Sequence, residues 1–159
     1  MTQVDAAEFR RLCARFATGV MVVTATDEGE NPIGMTANSF ASVSLEPPLV
    51  SVNIYHQAEL HGSLVGTTRF GLNVLANGQE FLSRQFAGPR EDRFRDVGYR
   101  LSPGGNPWLE GALASFDCIR YASFEAGDHT ILVGSVKGGT VGPGEPLVFY
   151  DGRYFGGIA

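Results

Sequence analysis

The feature that most constrains this chain is a succession of short β-type segments joined by connections too brief to hold a crossover helix. Val20-Met21-Val22-Val23-Thr24-Ala25-Thr26 reads as a mostly buried strand, closed by the turn Asp27-Glu28-Gly29. Strands follow at Pro32 to Thr36, Phe40 to Leu45, Leu49 to Ile54 and Arg69 to Leu75. Glu46-Pro47-Pro48 breaks the third from the fourth, because proline donates nothing to a sheet. A long strand is predicted from Ala112 to Tyr121, then the turn Gly127-Asp128-His129 leads into Thr130 to Val136. Leu147 to Tyr150 and Tyr154-Phe155 close the series around Asp151-Gly152. Parallel pairing needs a crossover of a dozen or more residues, and most connections here are shorter, which argues against a doubly wound sheet. A closed or partly closed antiparallel barrel carrying a few helices fits.

The helices are few. Asp5 and Glu8 form a capping-box pattern ahead of Phe9, Leu12, Cys13 and Phe16 at helical spacing, which predicts an opening helix ending by Thr18-Gly19. Short helices are predicted from His56 to Val65 and from Gln79 to Phe86. Arg90 to Pro107, polar and rich in glycine and proline, reads as a long surface excursion.

Charge narrows the function. The balance of 12 basic against 17 acidic residues gives −5, with no basic block, which argues against nucleic acid or an anionic membrane surface as partner. The first residues lack a secretory pattern and no segment has the length of a membrane span, so a cytoplasmic location is expected. Cys13 and Cys118 are far apart and read as reduced, packed thiols.

Common catalytic signatures are absent: there is no GxSxG elbow, P-loop, HExxH or dinucleotide fingerprint after a strand. His56 and His61, five apart, fall off one helical face and make a poor metal pair, so no metal is expected. The unusual segment is Gly34-Met35-Thr36-Ala37-Asn38-Ser39-Phe40. Its small and hydroxyl side chains leave the backbone accessible to a flat, acceptor-rich ligand, or else make local turn bonds in a polar strand connection. Ser51 and Asn53 share one strand face by the two-residue period.

Taken with Gly19-Val20 through Thr24, Pro47-Pro48-Leu49-Val50, Phe70-Gly71-Leu72-Asn73-Val74-Leu75, Phe86-Ala87, Gly127-Asp128-His129, Pro146-Leu147 and Tyr154, that segment makes an ordered set. The set resembles the flavin reductase-like family, which includes the reductase components of two-component flavin monooxygenases. The resemblance runs from about Phe9 to Phe155. It implies one domain over 1–159, mainly β: a split β-barrel of the FMN-binding type, Greek-key and antiparallel, with a few short helices. It also implies a homodimer, binding of FMN or FAD, and NADH or NADPH as hydride donor to the flavin.

By the same resemblance, Thr36, Ala37, Asn38 and Ser39 would contact the flavin ring and ribityl chain, with Ser51 and Asn53 facing the same ligand. Phe86, Ala87 and Arg93 would approach from the following helix and loop, although Arg93 also reads as a solvated surface charge. His129 would lie where the nicotinamide enters, as the one catalytic candidate, or serve as a hydrogen-bonded histidine at a strand entrance. Tyr154 would stack there or plug the barrel end. One departure stands out. Where relatives often carry serines and threonines for the flavin phosphate, this chain has Tyr55-His56-Gln57-Ala58-Glu59-Leu60, leaving His56, Gln57 and an arginine for that task. The expected activity is NAD(P)H-dependent flavin reduction, with reduced flavin passed to a partner monooxygenase. The alternatives are a flavin-binding or carrier protein and an FMN oxidase of the pyridoxamine phosphate type.

Overall fold

The computed structural model describes residues 4–156. Helix α1 (Ala6–Cys13) opens the chain, and the Asp5 carboxylate accepts the Glu8 N–H at 2.8 Å, as its capping pattern predicts. Twelve strands follow: β1 (Thr18–Gly19), β2 (Met21–Thr26), β3 (Pro32–Ala37), β4 (Ala41–Leu45), β5 (Pro48–Tyr55), β6 (Arg69–Val74), β7 (Tyr99–Leu101), β8 (Pro107–Leu109), β9 (Ala114–Ala126), β10 (His129–Val141), β11 (Leu147–Tyr150) and β12 (Arg153–Gly156). Helices α2 (His61–Gly66) and α3 (Glu80–Phe86) flank β6, and a 3-10 turn spans Arg90–Asp92.

The main sheet has seven strands in the order β3-β2-β6-β9-β10-β5-β4, antiparallel throughout. Its two edges, β3 and β4, are consecutive in sequence and joined only by Asn38, Ser39 and Phe40. Four peptide steps reach at most about 14 Å, so the sheet must curl until its edges meet at that corner. The edges do not pair with each other, so of the closed or partly closed barrel expected from the sequence the closed form is absent among the described residues, and the main sheet is open and curled. β11 pairs with β1 and β12 in a smaller sheet, and β7 pairs with β8.

Two apolar clusters hold the fold. One lies inside the curl, with Val23, Val52, Ile54, Leu64, Phe70, Leu72 and Leu132 essentially inaccessible. The other packs α3 against the opposite side of β2 through Val22, Leu75, Leu82 and Phe86. Gly34 permits this second contact. A Cβ there would stand 2.9 Å from the Phe86 ring, closer than packed carbons tolerate.

Several expectations need correction. Glu46-Pro47 does separate β4 from β5, but Pro48 already belongs to β5, since a strand's first residue tolerates a missing N–H. The segment from His56 turns before it coils, so α2 begins only at His61. Cys118 is packed as expected, but Cys13 is exposed. The stretch from Arg90 to Pro107 runs largely over the surface as expected, but buried residues anchor it. Arg93 is buried where it donates to the Gly88 and Gly34 carbonyls, and Ser102 and Asn106 are buried because the inward carboxylate of Asp117 accepts hydrogen bonds from Ser102 Oγ, Gly104 N and Asn106 Nδ2, each at 2.7 Å.

Candidate functional site

The corner where the edges meet carries unspent polar groups. Ser39 Oγ accepts the Asn53 N–H at 2.9 Å and donates back to the Asn53 carbonyl at 3.3 Å, replacing a ladder residue with a side chain. Asn38 reaches Thr18 Oγ1 at 3.3 Å and is otherwise exposed. Asn38, Ser39 and Asn53 face a groove of about 1090 Å³ whose other walls include Thr18, Gly19, Phe149 and Tyr150, with Cys13 at the end of α1 and Phe16 just after it. That volume suits a tricyclic ring system.

The open edge of β3 adds main-chain groups. Arg93 donates through Nη1 to the Gly34 carbonyl at 3.1 Å, so Gly34 turns its backbone away from β2. Alternation along the strand turns Thr36 the same way, leaving its N–H at the unpaired edge. The Thr36 side chain is spent elsewhere: its hydroxyl donates to the Ser83 carbonyl at 2.6 Å. Ala37 is half-buried against the core inside the curl.

On β5, Ser51, Asn53 and Tyr55 share one face, while Val52 and Ile54 point into the core. Register continues that face onto β10, where Ile131 lies opposite Asn53 and His129 opposite Tyr55. His129 therefore sits two residues, about 7 Å, along the sheet from the Asn53 position. Its ring stands 5.2 Å from the Tyr55 ring, and Nδ1 lies 2.7 Å from the Asp128 carboxylate. The imidazole contact holds the Asp128 carboxyl below the usual carboxylate range. Because Asp128 lies in the turn and His129 already belongs to β10, backbone pairing fixes the point from which the imidazole leaves the sheet.

His56 meets the His61 ring edge-on at 5.1 Å, and its Nε2 approaches the Glu125 carboxylate to 2.7 Å without hydrogen-bond alignment. Glu125 in turn accepts from Thr130, whose hydroxyl also meets His61 Nε2 at 2.8 Å. Gln57 is exposed on the turn. His56 is thus tied to the β9–β10 hairpin.

The remaining candidates are less accessible. Phe86 is fully buried in the α3 cluster, so its side chain offers no ligand surface; packing against Gly34 claims it. Ala87 caps α3 and is exposed. Tyr154 shares a hydrogen bond with Ser83 Oγ at 2.8 Å beneath the Arg84 guanidinium, on the α3 side of the sheet. Arg93 is buried rather than solvated, and burial lowers its pKa against the opposing pull of Glu59. It lines a second cavity of about 240 Å³ at the far end of β3 with Gly34, Leu60 and Phe94. Thr18 is the functional neighbour that sequence reading missed; nothing in its local pattern places it beside Asn38, which is 20 residues away.

These features fit a family model described as a flavin reductase like domain, which matches residues 13–157. The chain belongs to the flavin reductase-like family. An FMN reductase (NADH) of Agrobacterium fabrum is 44% identical over 92% of this chain and 83% of its own length. The reductase component of a flavin-dependent trigonelline monooxygenase from Acinetobacter baylyi is 40% identical over 98% of this chain, which spans only 51% of that relative. Among solved structures, an NADH:FAD oxidoreductase of Streptomyces globisporus superposes with a TM-score of 0.91 at 38% identity, over 100% of this chain and 99% of that one. No helix among the described residues is long and apolar enough to cross a membrane. No metal-holding group of His, Cys, Asp or Glu occurs among them either.

Proposed function

We propose that this chain is an NAD(P)H-dependent flavin reductase that takes FMN or FAD and supplies the reduced flavin to a partner monooxygenase. The observation that carries the reading is the open edge of β3 ending in the Asn38–Ser39–Asn53 corner. There, main-chain donors and small side chains border a groove of ring-sized volume. When bound, flavin accepts a hydride at N5 from the nicotinamide, so the protein needs no nucleophile of its own.

The residues divide that work. The Thr36 N–H and the Asn38 and Asn53 amides orient the ring by its polar edge, and donors aimed at N1 and O2 stabilise charge arriving there. Ala37 and Ser39 keep side-chain bulk off the ring's face, and Ser51 continues the polar strip along β5. Arg93 lines the second cavity, where the phosphate end would sit, while His56, Gln57 and Ala87 are assigned to it by the resemblance alone. His129, held by Asp128 and backed by Tyr55, presents an imidazole face on which a nicotinamide can stack. Tyr154, with its hydroxyl on Ser83, shapes the α3 side instead. Stacking the two rings about 3–3.5 Å apart is the whole catalytic requirement.

The curled sheet with its edges pinned at one corner supports a split-barrel reading of the FMN-binding, Greek-key type, within one domain over 1–159. A homodimer would cover Phe9 and Leu12 of α1 and Phe16 just after it, which are 60%, 60% and 77% exposed although their helical spacing is patterned for burial. Two free thiols suit a cytoplasmic location.

The test is consumption of NADH and NADPH with FMN, FAD or riboflavin. Nicotinamide oxidation with at least one pairing is expected; none with any pairing overturns the reading. Sedimentation of the purified protein tests the dimer, with monomer at micromolar concentration counting against it.

A further inference from the structure

We propose that Glu59 is a specificity-determining residue that makes this chain nearly indifferent to the phosphate of its flavin. The inference rests on the flavin reading above and concerns the end of the site away from the ring. Arg93 carries five N–H donors on a planar fork. Nε donates to the Gly88 carbonyl at 2.9 Å and Nη1 to the Gly34 carbonyl at 3.1 Å, so two main-chain bonds fix the guanidinium in place. Its side chain is only 11% exposed. The guanidinium stands at the end of β3, beside the cavity of about 240 Å³. In this proposal the ribityl chain runs back along the open edge of β3 from a ring at Asn38, and Gly34, four residues earlier, lies about 14 Å along the strand.

A preorganised guanidinium with spare donors is the natural seat for a phosphate. Here the seat is contested. The Glu59 carboxylate lies 3.5 Å from Nη2 on a side chain that is 52% exposed. At that length the pair is a loose charge contact, not a bidentate one. The other charges around the cavity do not relieve the repulsion. Arg90 also lines the cavity, but Asp27, 3.5 Å from it, and Glu91 set two anions against that one cation. An incoming phosphate must displace Glu59 or sit beside it, and either course cancels most of what Arg93 offers. Riboflavin, which has no phosphate, loses nothing by this arrangement. Weak hold on the phosphate also suits a protein that must release its product to another enzyme.

The experiment compares riboflavin and FMN binding to the full chain by quenching of flavin fluorescence, for the wild type, Glu59→Gln and the double variant Glu59→Gln/Arg93→Gln. The wild type is expected to bind the two flavins within about threefold of each other. Glu59→Gln should raise the preference for FMN by about tenfold while leaving riboflavin affinity in place, since removing one like charge acts on the phosphate alone. The double variant should lose that gain. A wild-type preference for FMN of about a hundredfold would overturn the proposal, and so would an unchanged ratio in Glu59→Gln. If riboflavin and FMN bind but the ratio does not respond, the specificity inference alone fails. If neither flavin binds any of the three proteins, the flavin reading fails with it.

Discussion

Asn73 and Asn53 are the same residue on strands of one sheet, and they do opposite work. Asn73, at the middle of the sheet and wholly inaccessible, spends its whole amide on the fold. Its Nδ2 is shared among the Val22 carbonyl, Thr24 Oγ1 and the Pro107 carbonyl, and its Oδ1 accepts from Leu109 N and Ser115 Oγ. Asn53, near the pinned corner, uses only its backbone in the Ser39 exchange and leaves its amide in the groove. Asp117 repeats the lesson from the other side: a buried carboxylate whose three partners close the loop from Ser102 to Asn106. A saturated polar group inside a sheet is architecture, whereas an unsaturated one at an open edge is free to meet a ligand.

The contrast can be broken by mutation. The largest effect belongs to Asn73→Ala, which orphans the Leu109 N–H and the Ser115 hydroxyl in a dry interior. It should cost about 3 kcal/mol in urea unfolding, while the folded fraction keeps its flavin affinity. Asp117→Ala should cost about 2 kcal/mol and open the 102–106 loop to limited proteolysis. Asn53→Ala should reverse the pattern, changing stability by no more than about 0.5 kcal/mol while weakening flavin binding about tenfold in a fluorescence titration. If Asn53→Ala unfolds the protein or leaves flavin binding untouched, the distinction between the two asparagines fails.

Smaller effects sharpen it. His129→Ala should raise the nicotinamide KM about fivefold with little change in kcat, because stacking holds the ground state and transition state alike. A fall in kcat at constant KM would give His129 a different role. The thiols offer the mildest probe. Burial, with Asp117 adding to it, pushes the Cys118 thiol up to about 12, so only the exposed Cys13 should react with a disulfide reagent in the native protein. A second equivalent should appear only on unfolding.

Most strands were legible because each is a local event: β2, β5 and β11 announce themselves by apolar runs between turn residues. The polar corner was legible for the same reason, since Thr36 to Ser39 stand out as small residues between two strands. What sequence could not reveal was partnership at a distance. The polar stretch around Arg93, Ser102 and Asn106 looks like solvent-facing loop until Asp117 and the Gly34 carbonyl are placed beside it. Phe86 looked like a residue approaching the ligand from its helix, and only Gly34, 52 positions earlier, makes room for it in the core. Likewise Glu59 reads as a departure from a pattern, and its meaning comes only from the guanidinium it faces.

A margin left unpaired for a ligand is also an invitation to the wrong guest, since a bare strand edge can template fibril growth from another molecule. Pro32 stands within β3, and a bulge kinks β4 between Ser42 and Ser44. The two rims of the curl are thereby poor templates for a foreign strand. The opening that admits a small planar molecule is in this way kept from admitting a polypeptide.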